Sequence, residues 1–130
     1  MARILVVDDE PHILKLVSFS LTSAGHEVFE ATDGALGVEV ASEVKPDLIL
    51  LDVMMPLMSG YQALELLKAE EDTAGIPVVM LSAKSQVYEQ QEGLRLGAHQ
   101  YVCKPFTPRD LVQVVDDILA GCEREVDRDG

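Results

Sequence analysis

Four residues of this chain have the chemical types and places that phosphorus and divalent-metal chemistry require. Asp8 and Asp9 follow the apolar run Ile4-Leu5-Val6-Val7, Asp52 follows Leu48-Ile49-Leu50-Leu51, and the basic residue Lys104 follows Tyr101-Val102-Cys103. In an open parallel α/β sheet, ligands collect outside the carboxyl ends of the strands. Three carboxylates and an ammonium delivered there would share one crevice, an arrangement suited to a divalent metal and a phosphate.

The elements that must position these residues are legible in the alternation of short β-branched or leucine-rich runs with longer stretches of helical periodicity, the mark of repeated βα units. We read five such units. The first strand spans Arg3 to Val7, and its helix starts near Glu10-Pro11 with Asp9 as N-cap and ends at Gly25. A strand from His26 to Ala31 precedes a helix from Gly34 to Val44, closed by Lys45-Pro46. The third strand, Asp47 to Leu51, is continuously apolar, as expected when both faces are covered. Its loop leads to a helix from Tyr61 to Ala69. A strand from Val78 to Leu81, a helix from Gln86 to Leu96 that stops at Gly97, a strand from Gln100 to Cys103 and a helix from Pro108 to Leu119 capped by Thr107 complete the pattern. The charged segment Gly121 to Gly130 reads as a frayed tail or the stub of a linker. The domain proper is thus 1–120, with 121–130 outside it.

Composition bounds the function. A chain of 130 residues with 48% hydrophobic content makes one domain with a substantial core. Ten Lys+Arg against 23 Asp+Glu leave a net charge of -13, which repels nucleic acid and anionic membranes. Cys103 and Cys122 form no metal or disulfide pattern, and no apolar run suits a bilayer span or a secretion signal, so the expected compartment is the cytoplasm. His12, His26 and His99 lie on different elements with no ligand spacing, and read as surface or boundary residues. Met54, Met55 and Met58 read as packing and loop filling rather than a soft-metal patch.

The segments Val6-Val7-Asp8-Asp9-Glu10, Leu50-Leu51-Asp52-Val53-Met54-Met55-Pro56-Leu57-Met58-Ser59-Gly60, Met80-Leu81-Ser82-Ala83-Lys84 and Tyr101-Val102-Cys103-Lys104-Pro105-Phe106 stand in one order, each at a strand end. Together they resemble the receiver domain of two-component response regulators, the group that includes the single-domain chemotaxis regulator. The resemblance covers Arg3 to Leu119. It implies a flavodoxin-like, doubly wound (βα)5 fold with strand order 2-1-3-4-5 in three layers.

Each site residue then has an expected role. Asp52 is the phosphoacceptor, since a carboxylate can attack phosphorus to give an aspartyl phosphate. The resemblance implies Mg²⁺, with Mn²⁺ as an alternative, held by Asp9 and Asp52 directly, by Asp8 largely through water and by the carbonyl of Met54. Physically, clustered carboxylates need a proton or a cation to neutralise them. Lys104 would pair with Asp52 at rest and with a phosphoryl oxygen afterwards. Ser82 would bond a phosphoryl oxygen, with small Ala83 leaving access for the donor. The resemblance also implies a cis peptide before Pro105. Tyr101 is the candidate readout element, exchanging between buried and exposed rotamers as Ser82 moves. Met54 and Lys84, two residues beyond Asp52 and Ser82, offer no group to orient a hydrolytic water, so slow self-dephosphorylation is expected.

Other classes fit less well. A haloacid-dehalogenase-type phosphohydrolase would want a second aspartate where Met54 stands, and a flavodoxin-like cofactor module would want a Gly/Ser/Thr-rich loop in place of Asp8-Asp9-Glu10-Pro11. A binding-only degenerate receiver would have lost principal residues that are all present here. The expectation is a switch rather than an enzyme with a diffusible substrate. It would take its phosphoryl group from a sensor histidine kinase or phosphotransfer protein and signal to a downstream protein through the face of the fourth helix, fifth strand and fifth helix. Neither nucleic acid nor membrane would bind directly, and a monomer or weak dimer is expected.

Overall fold

A computed structural model of the chain describes residues 2–83 and 96–129, with side chains described except those of 83 and 122–129. Five strands, β1 (Arg3–Val7), β2 (Glu27–Ala31), β3 (Leu48–Asp52), β4 (Val78–Ala83) and β5 (Gln100–Lys104), form one sheet of order β2-β1-β3-β4-β5. Every neighbouring pair is parallel. Helices cover both faces, so the doubly wound, three-layer expectation holds.

Alternation along the strands divides the core in two. Leu5, Val7, Ile49, Leu51, Val78 and Met80 point to one face, where Ala41 of helix α2 (Gly34–Val44) and Ala63, Leu64 and Leu67 of helix α3 (Gly60–Ala69) pack on them. Ile4, Val6, Leu48, Leu50, Val79 and Leu81 point to the other. There they meet Leu14, Val17 and Leu21 of helix α1 (Pro11–Ser23) and Leu111, Val115 and Ile118 of the last helix. Because β3 is buried on both faces, its whole length reads as apolar until Asp52.

Several helix ends follow from local chemistry. Asp33 accepts from the Leu36 N–H at 2.7 Å at the start of α2, and Lys45 closes it in the left-handed region at φ 51° before Pro46. Ser59 and Gln62 form a reciprocal capping box at the start of α3. Gly25, at φ 97°, turns the chain out of α1 where a side chain would be strained. Thr107 caps the last helix by accepting from Asp110 N–H at 3.1 Å, as expected.

Some expectations need correction. The N-cap of α1 is Glu10, with no side-chain cap bond, and Pro11 opens the helix. Asp9 is not the cap, because its carboxylate is drawn into the acid cluster described below. A short helix, α4 (Glu71–Ala74), was not expected from its polar sequence. Side-chain bonds to neighbouring turns hold it: Thr73 Oγ1 donates to Leu67 O at 2.6 Å, and Lys68 Nζ donates to Ala74 O and Ile76 O at 3.0 and 2.8 Å. Strands β3, β4 and β5 run one or two residues later than expected, since the parallel ladder continues into their polar ends. The last helix, α5 (Pro108–Asp129), continues past Leu119, where the sequence pattern puts its end. The helix expected from Gln86 to Leu96 falls on 84–95, outside the described residues, apart from its last position.

Candidate functional site

Register delivers the acids and the ammonium to one place. Val7 pairs with Leu51, Asp52 with Leu81, Ser82 with Cys103 and Ala83 with Lys104, so the carboxyl ends of β1, β3, β4 and β5 finish side by side. Asp8, Asp9 and Asp52 each present an oxygen within 4.8 Å of the others. Asp8 is fully buried and Asp52 is 3% exposed, while Asp9 is the most open of the three.

Lys104 Nζ donates to Asp52 Oδ1 at 2.9 Å and to Asp8 Oδ2 at 3.4 Å. Asp8 Oδ1 also accepts from the Glu10 N–H at 2.9 Å, which fixes the entry to α1. Burial pushes the Asp52 carboxyl up to about 6; the bond to Lys104 works against this, and the charge of Asp8 adds to it. Asp8 is also raised, chiefly by burial, against its bond to Glu10 and the charge of Lys104. Burial works to lower the Lys104 ammonium, but its bond to Asp52 and the two carboxylate charges outweigh that and leave it raised. Two buried acids held up toward neutrality beside one ammonium form a site short of positive charge.

The loop from Val53 to Ser59 is closed by Gly60, whose N–H donates to Val53 O at 2.9 Å. A Cβ on Gly60 would lie 2.2 Å from Asp52 O, so α3 can begin this close to Asp52 only with glycine there. Leu57, in the middle of the loop, stands at φ 68° with its side chain wholly exposed, and the Met58 N–H donates to Pro56 O across it at 2.7 Å. This is a tight three-residue turn of the strained kind.

The other predicted residues fall as follows. Ser82 is buried at the end of β4. The Lys104-Pro105 peptide is cis. Tyr101 is half-buried on β5 and donates to the Tyr61 hydroxyl at 3.0 Å. Met55 is core and Met58 packs over Gly34, but Met54 is 65% exposed, so only two of the three methionines are packing residues. Lys84 lies outside the described residues. His26 does more than mark a boundary: its Nδ1 accepts from Ala2 N–H at 3.2 Å and its Nε2 meets Asp116 Oδ1 at 3.0 Å, tying β2 to α5. Residues the sequence reading missed are Gly60 and Tyr61. A glycine just after a cap serine is a weak signal for the first, and the second had none.

A family model described as the response regulator receiver domain matches residues 4–116. The chain belongs to this family. It is therefore a receiver domain of two-component signalling, not a dedicated enzyme. The receiver is 38% identical over 121 residues to protein PilH of Pseudomonas aeruginosa, across 93% of this chain and 100% of that one. It is 40% identical over 124 residues to the DNA-binding dual master transcriptional regulator RpaA of a Synechocystis strain, across 95% of this chain and 52% of that one. The receiver spans about half the length of most of the curated relatives it matches. Among solved structures, the chemotaxis response regulator CheY4 of Vibrio cholerae aligns with a TM-score of 0.86 at 33% identity, over 91% of this chain and 98% of that one. The receiver domain of the sensor histidine kinase PA1611 of Pseudomonas aeruginosa, solved with a magnesium ion coordinated in its active-site cleft, aligns at 0.84 with 28% identity, over 92% and 98%. Among the described residues of this receiver no helix is long and apolar enough to cross a membrane.

Proposed function

We propose that this receiver is a phosphorylation-controlled switch that takes a phosphoryl group onto Asp52 from the phosphohistidine of a sensor histidine kinase or phosphotransfer protein. The observation that carries the reading is the convergence of Asp8, Asp9 and Asp52 within 4.8 Å, with Lys104 on Asp52 at 2.9 Å. A carboxylate oxygen of Asp52 attacks phosphorus, the donor's phosphorus–nitrogen bond breaks, and its electron pair leaves with the imidazole nitrogen. Lys104 then exchanges its carboxylate partner for a phosphoryl oxygen, and the buried Ser82 hydroxyl binds a second. The domain catalyses its own modification and has no diffusible substrate beyond the donor.

The donor set fits a small hard cation. Its oxygens are carboxylates, two of them buried, and one ammonium among the described residues offsets the three charges. Asp9 and Asp52, Asp8 largely through water, and the carbonyl of Met54 would hold Mg²⁺ or Mn²⁺. Such an ion neutralises charge on the phosphoryl oxygens when bound. Met54 and Lys84 bring no carboxylate or amide to orient water, which supports slow hydrolysis of the aspartyl phosphate.

Output passes through the surface around Tyr101 to a downstream protein. The net charge of -13 argues against nucleic acid held directly by this domain. The last helix shows no run of arginines between Leu111 and Leu119, in keeping with a monomer or weak dimer, and the cytoplasm is the compartment where such donors are charged. Residues 121–130 are read as lying outside the switch itself.

Incubating the protein with Mg²⁺ and acetyl phosphate tests the reading by mass spectrometry. We expect one phosphoryl group on the wild type, none on Asp52→Asn and none in the presence of a chelator. Equal labelling of Asp52→Asn would refute it.

A further inference from the structure

Tyr101 of β5 and Tyr61 of α3 meet hydroxyl to hydroxyl at 3.0 Å, and both rings are half-buried against the core shared by α2 and α3. The two segments that meet there also meet at Asp52. Tyr61 follows Gly60, whose N–H donates to Val53 O and where a Cβ would meet the Asp52 carbonyl oxygen at 2.2 Å. From Tyr101, β5 runs on to Lys104, whose ammonium donates to Asp52 Oδ1. Asp52, the start of α3, the tyrosine pair and the end of β5 thus form a closed ring of contacts. A phenyl ring at 61 would pack in the same space without the oxygen that accepts from the Tyr101 hydroxyl.

We propose that Tyr61 is a positioning residue: its hydroxyl holds the ring of Tyr101 against α3 and ties that ring's orientation to the state of Asp52. The first half stands on geometry alone, and the second rests on Asp52 being the phosphoacceptor. A part-buried hydroxyl pair of this kind shifts a two-state equilibrium by about fivefold. Because the ring closes through Asp52, the coupling is reciprocal.

The test uses the full chain with its three tyrosines labelled with ¹³C in the ring, signals being assigned by single Tyr→Phe exchanges. In Tyr61→Phe without phosphodonor, the Tyr101 signal moves toward that of a solvated tyrosine. Its nitration by tetranitromethane, read peptide by peptide, rises about fivefold. With Mg²⁺ and acetyl phosphate, the displacement of the Tyr101 signal on phosphorylation shrinks by at least half in Tyr61→Phe when the two proteins are compared at equal phosphoryl occupancy by mass. An unmoved signal and unchanged nitration overturn the positioning role. An equal phosphorylation-induced displacement with and without the hydroxyl overturns the coupling. Should Tyr61→Phe fail to fold, Tyr101→Phe gives the reciprocal reading, with nitration of Tyr61 rising by the same factor or, if unchanged, overturning the proposal. Absence of uptake by the wild type would instead refute the phosphoacceptor reading and leave the result without donor standing.

Discussion

Lys104 Nζ lies 2.9 Å from Asp52 Oδ1 and reaches Asp8 Oδ2 at 3.4 Å, so one ammonium is shared between two buried carboxylates. The pair of acids is under-compensated, and that shortfall sets both the chemistry and the stability of the domain.

Asp52→Asn removes one of the crowded charges while Lys104 keeps Asp8 as a partner. With Asp52 held at about 6 against 3.8, its ionised form destabilises the fold at neutral pH. The variant should therefore be more stable than wild type by about 1–3 kcal/mol at pH 7.5 without divalent cations. Urea denaturation measures this, and the gain should shrink as pH falls below about 6 and vanish only below 3.8, where Asp52 is protonated in the folded and the unfolded chain alike.

The same shift gives the metal-free protein a defined pH dependence. The folded state binds the Asp52 proton more tightly than the unfolded chain, so stability falls as pH rises from 3.8 toward about 6 and then levels off. Asp8, also raised, acts in the same direction. A cation binds the ionised acids, so the increase in Tm on adding Mg²⁺ should be small at pH 5 and largest above pH 7. Thermal scans across this range, with and without Mg²⁺, check the prediction, and a Mg²⁺ effect independent of pH would contradict it.

Gly60→Ala forces a methyl against backbone that cannot yield, at 2.2 Å from Asp52 O and 2.9 Å from Val53 Cα. We expect a loss of about 2–3 kcal/mol in stability. Displacement of the Asp52 carboxylate should also slow phosphoryl capture from acetyl phosphate by at least about tenfold. A variant as stable and as active as wild type would show that the α3 start is not seated on Asp52.

Leu57→Gly acts in the opposite sense. The leucine is held at φ 68° with no burial to offset the strain. Glycine there should raise stability by about 0.5–1 kcal/mol, the relief of left-handed strain exceeding the entropy lost from the unfolded chain. Chemical denaturation decides it, and a loss of stability would mean that the exposed side chain makes a contact worth more than the strain.

The sequence made the scaffold legible where local signals agree. β1 and α2 have the expected bounds because an apolar run and the Lys45-Pro46 stop each speak for themselves. The convergence of Asp8, Asp9, Asp52 and Lys104 was also readable, since parallel βα order puts every strand's carboxyl end on one edge. What escaped notice depends on side-chain partners that no local pattern names. Asp9 looks like a cap until the acid cluster claims it, α4 is held by side-chain bonds that tie Thr73 to Leu67 and Lys68 to Ala74, and nothing near Tyr61 announces Tyr101.

The site's principal groups are contributed by segments far apart in the chain, Lys104 meeting Asp52 across 52 positions and Asp8 across 96. Contacts of such separation close late, after loop entropy has been overcome. A fragment that ends before Lys104, or begins after Asp8, lacks one of the partners in this contact. The ammonium and its two carboxylate partners therefore come together only when the first, third and fifth strands stand in one sheet.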